Sequence, residues 1–293
     1  SSMFAGFQKD QRQVNGVQIA YRIGGNGPGL LLLHGHPQTH VIWHKVVERL
    51  SRHFTVIAAD LRGYGDSSKP AATDDHCSYS KREMGRDMVA LMTELGLPTF
   101  SILAHDRGAR VAHRLALDHP DVVTRMALLD IAPTLAMYSQ TNEAFARAYW
   151  HWFFLIRPAP LPETLLQADP EQYLRSVMGS RSAGLAPFTD QAFAEYVRCA
   201  KLPGAARGVC EDYRASATID LEHDRADIAA GNYLQLPLLV LWGAQGTVGT
   251  CFDPLKEWQQ VATDVRGKAL PGGHYLAEEI PDELLAEVMP FLV

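Results

Sequence analysis

One aspartate stands where its carboxylate could act as a nucleophile. Residues 104–110 read Ala-His-Asp-Arg-Gly-Ala-Arg, with Asp106 near the centre, and follow the apolar run Phe100 to Leu103. Small residues flanking a central side chain between a strand and a helix are typical of the turn called the nucleophile elbow. A held, partly desolvated carboxylate can displace a leaving group from saturated carbon and form an ester. The sequence therefore predicts alkyl transfer to Asp106 and then hydrolysis of the alkyl-enzyme; a plain helix N-cap is the alternative.

Two further residues would complete this chemistry. His274 lies in the loop Leu-Pro-Gly-Gly-His-Tyr before the last predicted helix, where it would act as the general base that takes a proton from water. A carboxylate should orient its imidazole. Asp130, at the end of the apolar run Arg125 to Leu129, is the first candidate, and Asp253 is the weaker alternative.

Backbone N–H groups would have to stabilise the negative charge that forms when water attacks the ester. The sequence His34-Gly35-His36-Pro37 can turn the chain so that the N–H of His36 points at the nucleophile. Together with the N–H of Arg107, it would bind the oxyanion.

The elements that position these residues alternate between short apolar strands and amphipathic helices. This alternation predicts an α/β fold with a mostly parallel central sheet flanked by helices on both faces. The predicted strands are Val14 to Ile23, Leu30 to Leu33, Thr55 to Ala59, Phe100 to Leu103, Arg125 to Leu129 and Leu236 to Trp242. The predicted helices are Ser80 to Leu95, Arg107 to Asp118 and Leu284 to Phe291.

One long segment breaks the alternation. Residues 134–218 are rich in aromatic side chains and helical patterns, and they contain no convincing strand. The segment lies between two core strands, so we expect a helical cap domain (134–218) inserted into a core domain (1–133 and 219–293).

Composition limits the class of protein. The 293 residues are 47% hydrophobic and 20% charged, with a formal net charge of −6, no long basic run and no apolar stretch long enough for a membrane span. We therefore expect a partner that is neither nucleic acid nor membrane. The four separated cysteines predict no metal site and a reducing cytoplasm. They are Cys77, Cys199, Cys210 and Cys251.

Taken together, these motifs resemble the α/β-hydrolase superfamily over nearly the whole chain, and within it the aspartate-nucleophile branch of epoxide hydrolases and haloalkane dehalogenases. The matching segments are His34 to Pro37, Asp60 to Pro70, His105 to Gly108 and Gly273-His274. The resemblance implies an α/β-hydrolase fold. In many related chains an acid follows Trp-Gly, but residues 242–247 read Trp-Gly-Ala-Gln-Gly-Thr, so Asp130 takes the role of the third catalytic group.

The residue after the nucleophile narrows the substrate class. Haloalkane dehalogenases typically carry tryptophan there as a halide donor, whereas this chain carries Arg107. Arg107 and Arg110 lie three residues apart on the first turn of the predicted helix, so both can face one pocket. Paired guanidinium groups suit a carboxylate. The substrate is therefore expected to be a small anion.

Five residues in particular are similar to those of the fluoroacetate dehalogenase family: Arg107, Arg110, His151, Trp152 and Tyr213. The resemblance implies that the arginine pair binds the substrate carboxylate and that the other three side chains bind the halide. It also implies a homodimer that needs no metal or organic cofactor. The expected reaction is hydrolysis of a short 2-haloacid, fluoroacetate above all, to the 2-hydroxyacid and halide.

Two other functions stay open. An epoxide hydrolase usually needs two cap tyrosines, of which only Tyr213 is assigned with conviction. The second would come from Tyr138, Tyr149, Tyr173 or Tyr196. A ligand-binding or signalling protein on a retained hydrolase scaffold is the third possibility. His36 is a departure from the family, because the residue before this proline is often a bulky apolar aromatic; its side chain could change the polarity of the pocket.

Overall fold

The computed structural model describes residues 3–293, and these residues form one sheet of eight strands. The strands are β1 (Gln8–Val14), β2 (Val17–Gly25), β3 (Gly29–Leu33), β4 (Thr55–Ala59), β5 (Phe100–His105), β6 (Val123–Leu129), β7 (Leu238–Gly243) and β8 (Val265–Leu270). They lie in the order β1-β2-β4-β3-β5-β6-β7-β8. Strands β3 to β8 are parallel, and only β1 and β2 run antiparallel to their neighbours. The predicted α/β fold with a mostly parallel sheet is confirmed.

The two edges of the sheet differ from the prediction. Instead of one strand from Val14 to Ile23, the chain forms a hairpin of β1 and β2, joined at Asn15-Gly16, where both residues have positive φ. β1 and β8 were not predicted. Both are edge strands and mostly exposed or half-buried; β1 is polar except for its last residue, and β8 has charged residues and glycine between its apolar ones, so neither has the apolar pattern of a buried strand.

Helices cover both faces of the sheet. The first three are α1 (Val47–Ser51), α2 (Lys81–Glu94) and α3 (Arg107–Asp118). Successive residues of β3 serve opposite faces, as the pleat requires: Leu30 and Leu32 join one hydrophobic cluster, and Leu31 and Leu33 join the other. The side chain of Ser80 accepts a hydrogen bond from the N–H of Glu83 and begins α2 close to its predicted start.

Residues 134–230, all within the described chain, contain helices and no strand, and the predicted cap (134–218) lies within this range. The helices are α4 (Thr134–Ser139), α5 (Glu143–Ala148), α6 (His151–Phe154), α7 (Leu161–Ala168), α8 (Pro170–Gly179), α9 (Asp190–Ala200), α10 (Ala205–Ser216) and α11 (Ile219–Ala230). A third hydrophobic cluster joins Trp152 and Tyr213 from this segment to Ala132 and Val248 from the core. The division into core and cap at residues 133/134 and 218/219 stays a prediction.

The C-terminal helices complete the layer structure. They are α12 (Thr247–Cys251), α13 (Pro254–Gln259), α14 (Leu276–Glu279) and α15 (Pro281–Leu292). Across residues 3–293, none of the helices combines the length and apolar character needed to cross a bilayer.

The nucleophile elbow depends on a close approach of α3 to β3. A Cβ at Gly108 would lie 2.3 Å from the carbonyl oxygen of His34 and 2.6 Å from that of Leu33, which are backbone atoms that cannot move aside cheaply. The absence of a side chain at Gly108 therefore allows α3 to start directly above the end of β3.

We expect Gly108→Ala to lower the free energy of unfolding by about 1–3 kcal/mol, because the added methyl group overpacks this contact. Gly179→Ala is the matched control: Gly179 is also helical, and its Cβ would meet only the Leu185 side chain, 3.3 Å away. Urea denaturation of both variants measures the difference. Equal stabilities would contradict this account of the elbow.

Candidate functional site

The backbone holds Asp106 in the geometry of a nucleophile elbow. It lies between β5 and α3 with φ 53° and ψ −120°, a conformation that a residue with a side chain adopts only where its surroundings enforce it. The N–H of His36 donates a hydrogen bond to Asp106 Oδ2 at 2.9 Å. Gly35 provides the necessary room, since a Cβ there would lie 2.3 Å from the Asp106 Cβ. The carboxylate is buried and makes no capping hydrogen bond to the helix that it begins.

His274 lies between two carboxylates. Its Nε2 is 3.4 Å from Asp106 Oδ1, and its Nδ1 is 2.5 Å from Asp130 Oδ2. Asp130 follows β6, has a φ of 53°, and accepts a hydrogen bond from the N–H of Gly243 at 3.0 Å through its other oxygen. Asp253 instead accepts a hydrogen bond from the N–H of Lys256 and caps α13 on the surface. The structure therefore brings Asp106, His274 and Asp130 together and leaves Asp253 outside.

The three groups stabilise one another's charged forms. Burial opposes ionisation of Asp106, but the hydrogen bond and the charge of His274 outweigh it and hold the pKa of Asp106 well below its usual range. Burial likewise opposes protonation of His274, yet the hydrogen bonds to Asp106 and Asp130 raise its pKa above the ordinary value of 6.5. The resting site therefore holds an ionised carboxylate, which is the state that a nucleophile needs.

His105 contacts the backbone of His274 and helps to hold it in place. Its Nε2 lies 2.8 Å from the backbone oxygen of His274, and the two rings are 4.6 Å apart. Burial, followed by the charge of His274, lowers the pKa of His105 to about 4, so the neutral imidazole donates this hydrogen bond. The sequence placed His105 next to the nucleophile but carried no sign of this positioning role.

Arg107 and Arg110 are both buried beside Trp152. The Arg107 Cζ lies 3.9 Å from the centre of the Tyr213 ring, and the Arg110 Cζ lies 4.9 Å from that of the Trp152 ring. Arg107 Nη1 and Arg110 Nε are buried and have no hydrogen-bond partner among the described residues. The two predicted carboxylate-binding residues thus both lie against Trp152, and each keeps one buried donor without a partner in residues 3–293.

Arg107 has a partner that the sequence did not reveal. Its Nη2 donates to Asp212 Oδ1 at 2.9 Å, and Lys81 Nζ lies 2.6 Å from the same oxygen. Tyr64 donates its hydroxyl hydrogen to Asp212 Oδ2. Burial disfavours the charged form of Asp212, but Arg107 and Lys81 outweigh it and lower its pKa well below the usual range. Asp212 therefore fixes the orientation of Arg107.

Arg110 has no such carboxylate. It donates to the Ala132 carbonyl and the Thr134 hydroxyl, both at 2.9 Å, and to Met137 Sδ, and within residues 3–293 no acid forms a salt bridge with it. Burial, followed by the charge of Arg107, lowers its pKa to about 10, so it stays protonated at neutral pH. Among the described residues, this buried guanidinium thus has no carboxylate bonded to it, although Asp106 acts on it from nearby, and it can pair with the carboxylate of a bound anion.

Three predicted halide donors converge next to the arginines. The ring centres of His151 and Trp152 lie 5.8 Å and 6.3 Å from that of Tyr213. Trp152 Nε1, the Tyr213 hydroxyl and His151 Nδ1 are buried and find no partner within the described part of the chain. Burial, the nearby His36 and the charge of Arg181 hold the pKa of His151 well below 6.5, so its ring is neutral and donates one hydrogen.

The His36 side chain lines the same pocket. Its ring stacks on His151 at 5.3 Å and meets the edge of Tyr213 at 5.3 Å, while Nε2 lies 2.9 Å from the Tyr173 hydroxyl. Burial lowers its pKa to about 3. A neutral polar ring therefore replaces the apolar aromatic that the family often carries here, and the backbone contact to Asp106 is kept.

One other group of side chains has the composition of a metal site. Asp66, Glu195 and Cys199 lie close enough together to hold an ion. Arg198 already pairs with both carboxylates, at 2.7 Å and 2.6 Å. The chemistry around Asp106 involves none of these residues.

The comparisons with known proteins agree with this geometry. The family model of the alpha/beta hydrolase fold matches residues 28–279, and the chain belongs to this family. Within this family, the chain is 42% identical over 291 residues to the fluoroacetate dehalogenase of Burkholderia sp. The aligned region covers 99% of this chain and 95% of that protein. The chain is 34% identical over 289 residues to the soluble epoxide hydrolase of Corynebacterium sp. (strain C12), covering 96% of each.

A solved structure is similar over the whole fold. ALR0039 from Nostoc sp PCC 7120, described as an alpha/beta hydrolase, is 51% identical to this chain, with a TM-score of 0.97 and 99% of both chains covered. The predicted resemblance to the α/β hydrolases and to fluoroacetate dehalogenase is confirmed.

Because Asp212 compensates two buried cations, we expect Asp212→Asn to lower the free energy of unfolding by about 3 kcal/mol at pH 7. A carboxylate whose pKa is depressed by folding stabilises the protein above its unfolded pKa of about 4, and this contribution is lost as the pH falls towards the folded value. The difference in the free energy of unfolding between the parent and Asp212→Asn should therefore be smaller at about pH 3 than at pH 7.

Glu171→Gln is the control, because Glu171 forms an exposed pair with Arg175 and should change stability by less than about 1 kcal/mol. Urea denaturation at both pH values measures the effect. A constant gap between parent and Asp212→Asn at both pH values would contradict the ion-pair explanation.

Proposed function

We propose that this chain is a hydrolase that removes halide from short 2-haloacids, fluoroacetate above all, and yields the 2-hydroxyacid. The observation that carries this proposal is the set of buried donors that have no partner within residues 3–293 and lie beside an ionised Asp106, together with Arg110, which has no carboxylate bonded to it there. A haloacetate has one carboxylate and one halogen, which match the two groups of donors. The 42% sequence identity to the fluoroacetate dehalogenase of Burkholderia sp supports the same substrate class.

In the first step, Asp106 attacks the carbon that carries the halogen. The His36 N–H holds Oδ2, so Oδ1 is the freer oxygen and forms the new C–O bond as the C–halogen bond breaks with inversion. Arg107 and Arg110 hold the substrate carboxylate. Fluoride is a poor leaving group but a strong hydrogen-bond acceptor, so His151, Trp152 and Tyr213 stabilise it most as its charge develops.

In the second step, water attacks the Cγ of the Asp106 ester. His274 Nε2 takes the proton of that water, and Asp130 holds the resulting imidazolium. The oxyanion forms on Oδ2, which already accepts a hydrogen bond from the N–H of His36, and the N–H of Arg107 is the second donor expected from the sequence. Collapse of this intermediate breaks the bond between Cγ and Oδ1, and the proton on His274 passes to Oδ1. The 2-hydroxyacid leaves with Oδ1 as its hydroxyl oxygen, and Asp106 keeps the oxygen of the water as a carboxylate once its remaining proton passes through His274 to solvent. The chain needs no metal or organic cofactor in this scheme.

Epoxide hydrolysis is the second candidate, because Tyr213 and Tyr138 both have buried hydroxyls without partners in the described residues. The similarity to the Corynebacterium enzyme also favours it. A neutral epoxide, however, would leave the charges of Arg107 and Arg110 without a ligand, which makes it the weaker fit. The homodimer and the cytoplasmic location expected from the sequence remain predictions.

A single-turnover reaction in heavy-oxygen water tests the covalent route. We expect fluoride release from fluoroacetate, with the first glycolate carrying oxygen from Asp106 instead of solvent. In His274→Asn, about one equivalent of fluoride should be released, and Asp106 should remain carboxymethylated, because the ester then lacks its general base. Mass spectrometry detects both results. Solvent oxygen in the first product, or turnover of styrene oxide without halide release, would overturn the proposal.

The halide site has its own test. Trp152→Phe removes one N–H donor, and we expect kcat to fall about 10²-fold with fluoroacetate and only about 10-fold with chloroacetate, since fluoride depends most on hydrogen bonding. Trp43→Phe is the matched control, because it removes another buried, unpartnered indole N–H from the core. Halide electrodes measure both rates. Equal losses with the two substrates would remove Trp152 from the halide site.

A further inference from the structure

A polar cleft that does not include Arg107 or Arg110 in its lining reaches His274. Its empty volume is about 580 Å³ including the open mouth, and its lining includes Arg181, Ser182, Gln245, Thr247 and His274. Because His274 also contacts Asp106, this cleft connects solvent with the candidate catalytic groups. Neither the family motifs nor the proposed reaction assigns a role to it.

Arg181 is the most unusual residue of this cleft. It lies in the connection between α8 and α9, and its Cζ stands 4.4 Å from the centre of the Tyr149 ring. The side chain is half-buried, its Nε is fully buried without a hydrogen-bond partner, and no carboxylate of residues 3–293 forms a salt bridge with it. A desolvated guanidinium without a counter-ion is costly unless an anion visits it.

The charged groups around Arg181 leave its guanidinium available to bind an anion. Asp106 and Asp130 lie near enough to act on it, but both are engaged with His274. The cleft has a second arginine, Arg147, which pairs with Glu143 at 2.9 Å on the surface. No acid lines the cleft, although the chain as a whole carries a net charge of −6. Within this lining, Arg181 is therefore the arginine that has no bonded carboxylate and can pair with an anion.

We propose that Arg181 forms an outer binding position for small anions, where the haloacid carboxylate is held before it moves to Arg107 and Arg110. The proposal rests on the proposed function for the identity of the substrate. The shared chemistry is that of a small monovalent anion, so the departing halide could use the same position, and the experiment separates the two.

Iodide quenching tests the anion position without any substrate. Trp150 lines the cleft and is 40% exposed, Trp43, Trp152 and Trp258 are fully buried, and Trp242 is half-buried. In a Trp242→Phe background, iodide therefore reports mainly on the surroundings of Trp150. In Arg181→Gln we expect the iodide quenching constant to fall about 3-fold, because the local iodide concentration falls. Quenching by neutral acrylamide should stay unchanged.

Stopped-flow fluorescence tests the haloacid. In an Asp106→Asn background, which cannot be alkylated, we expect Arg181→Gln to slow association of chloroacetate about 5-fold at low salt, with the difference lost at about 0.5 M salt, where charges are screened within a few ångströms. Arg175→Gln is the matched control. It removes an equal charge from α8, where Arg175 packs over Phe193 and pairs with Glu171.

Each result decides between the possibilities. Unchanged iodide quenching in Arg181→Gln overturns the anion position. Weaker quenching with unchanged chloroacetate association overturns substrate capture and leaves a halide position. An equal effect in Arg175→Gln overturns the local site in favour of net charge. If Asp106→Asn binds no haloacid at all, the proposed function fails, and substrate capture fails with it, while the iodide result still decides whether Arg181 binds anions.

Discussion

The site depends on keeping one buried carboxylate ionised and accessible. Burial alone would protonate Asp106, so its charge has to be stabilised by neighbours that leave one oxygen free for reaction. The His36 N–H and the His274 imidazole do this from two directions. Both contacts require the backbone to turn sharply at Asp106, and the turn fits only because Gly35 and Gly108 lack side chains. The strained turn and the charge are therefore parts of one arrangement.

Much of this arrangement could be predicted from the sequence because it is encoded locally. The apolar strands, the turn around Asp106 and the acid at the end of β6 each lie within a short stretch of chain. The edge strands β1 and β8 were missed because a polar strand with one neighbour has no apolar pattern. Asp212 was missed for a different reason: its partner Arg107 is 105 residues away, and nothing local distinguishes it from an ordinary helical aspartate.

The buried charges also explain why two arginines can share one pocket. Arg107 is compensated by Asp212, and Lys81 by Asp212 and Asp220 together, so these groups nearly balance. Arg110 is held by a carbonyl, a hydroxyl and a thioether, none of which cancels its charge. The arginine pair therefore presents one guanidinium that has no bonded carboxylate and whose donor directions are already fixed. This preorganisation suits a monovalent anion better than a neutral ligand, because no donor has to reorganise when the anion arrives.

The hydrogen bond between Asp106 and His274 would also set the order of the two steps of the proposed reaction. While Asp106 is ionised, its hydrogen bond helps to keep the pKa of His274 high, and the protonated ring is a poor base. Formation of the ester removes that charge, so one of the two groups that raise the pKa of His274 is lost. The imidazole then gives up its proton more readily and becomes able to activate water. Alkylation would thus produce the base that hydrolyses the alkyl-enzyme, and Asp130 alone would hold the ring in place between the two steps.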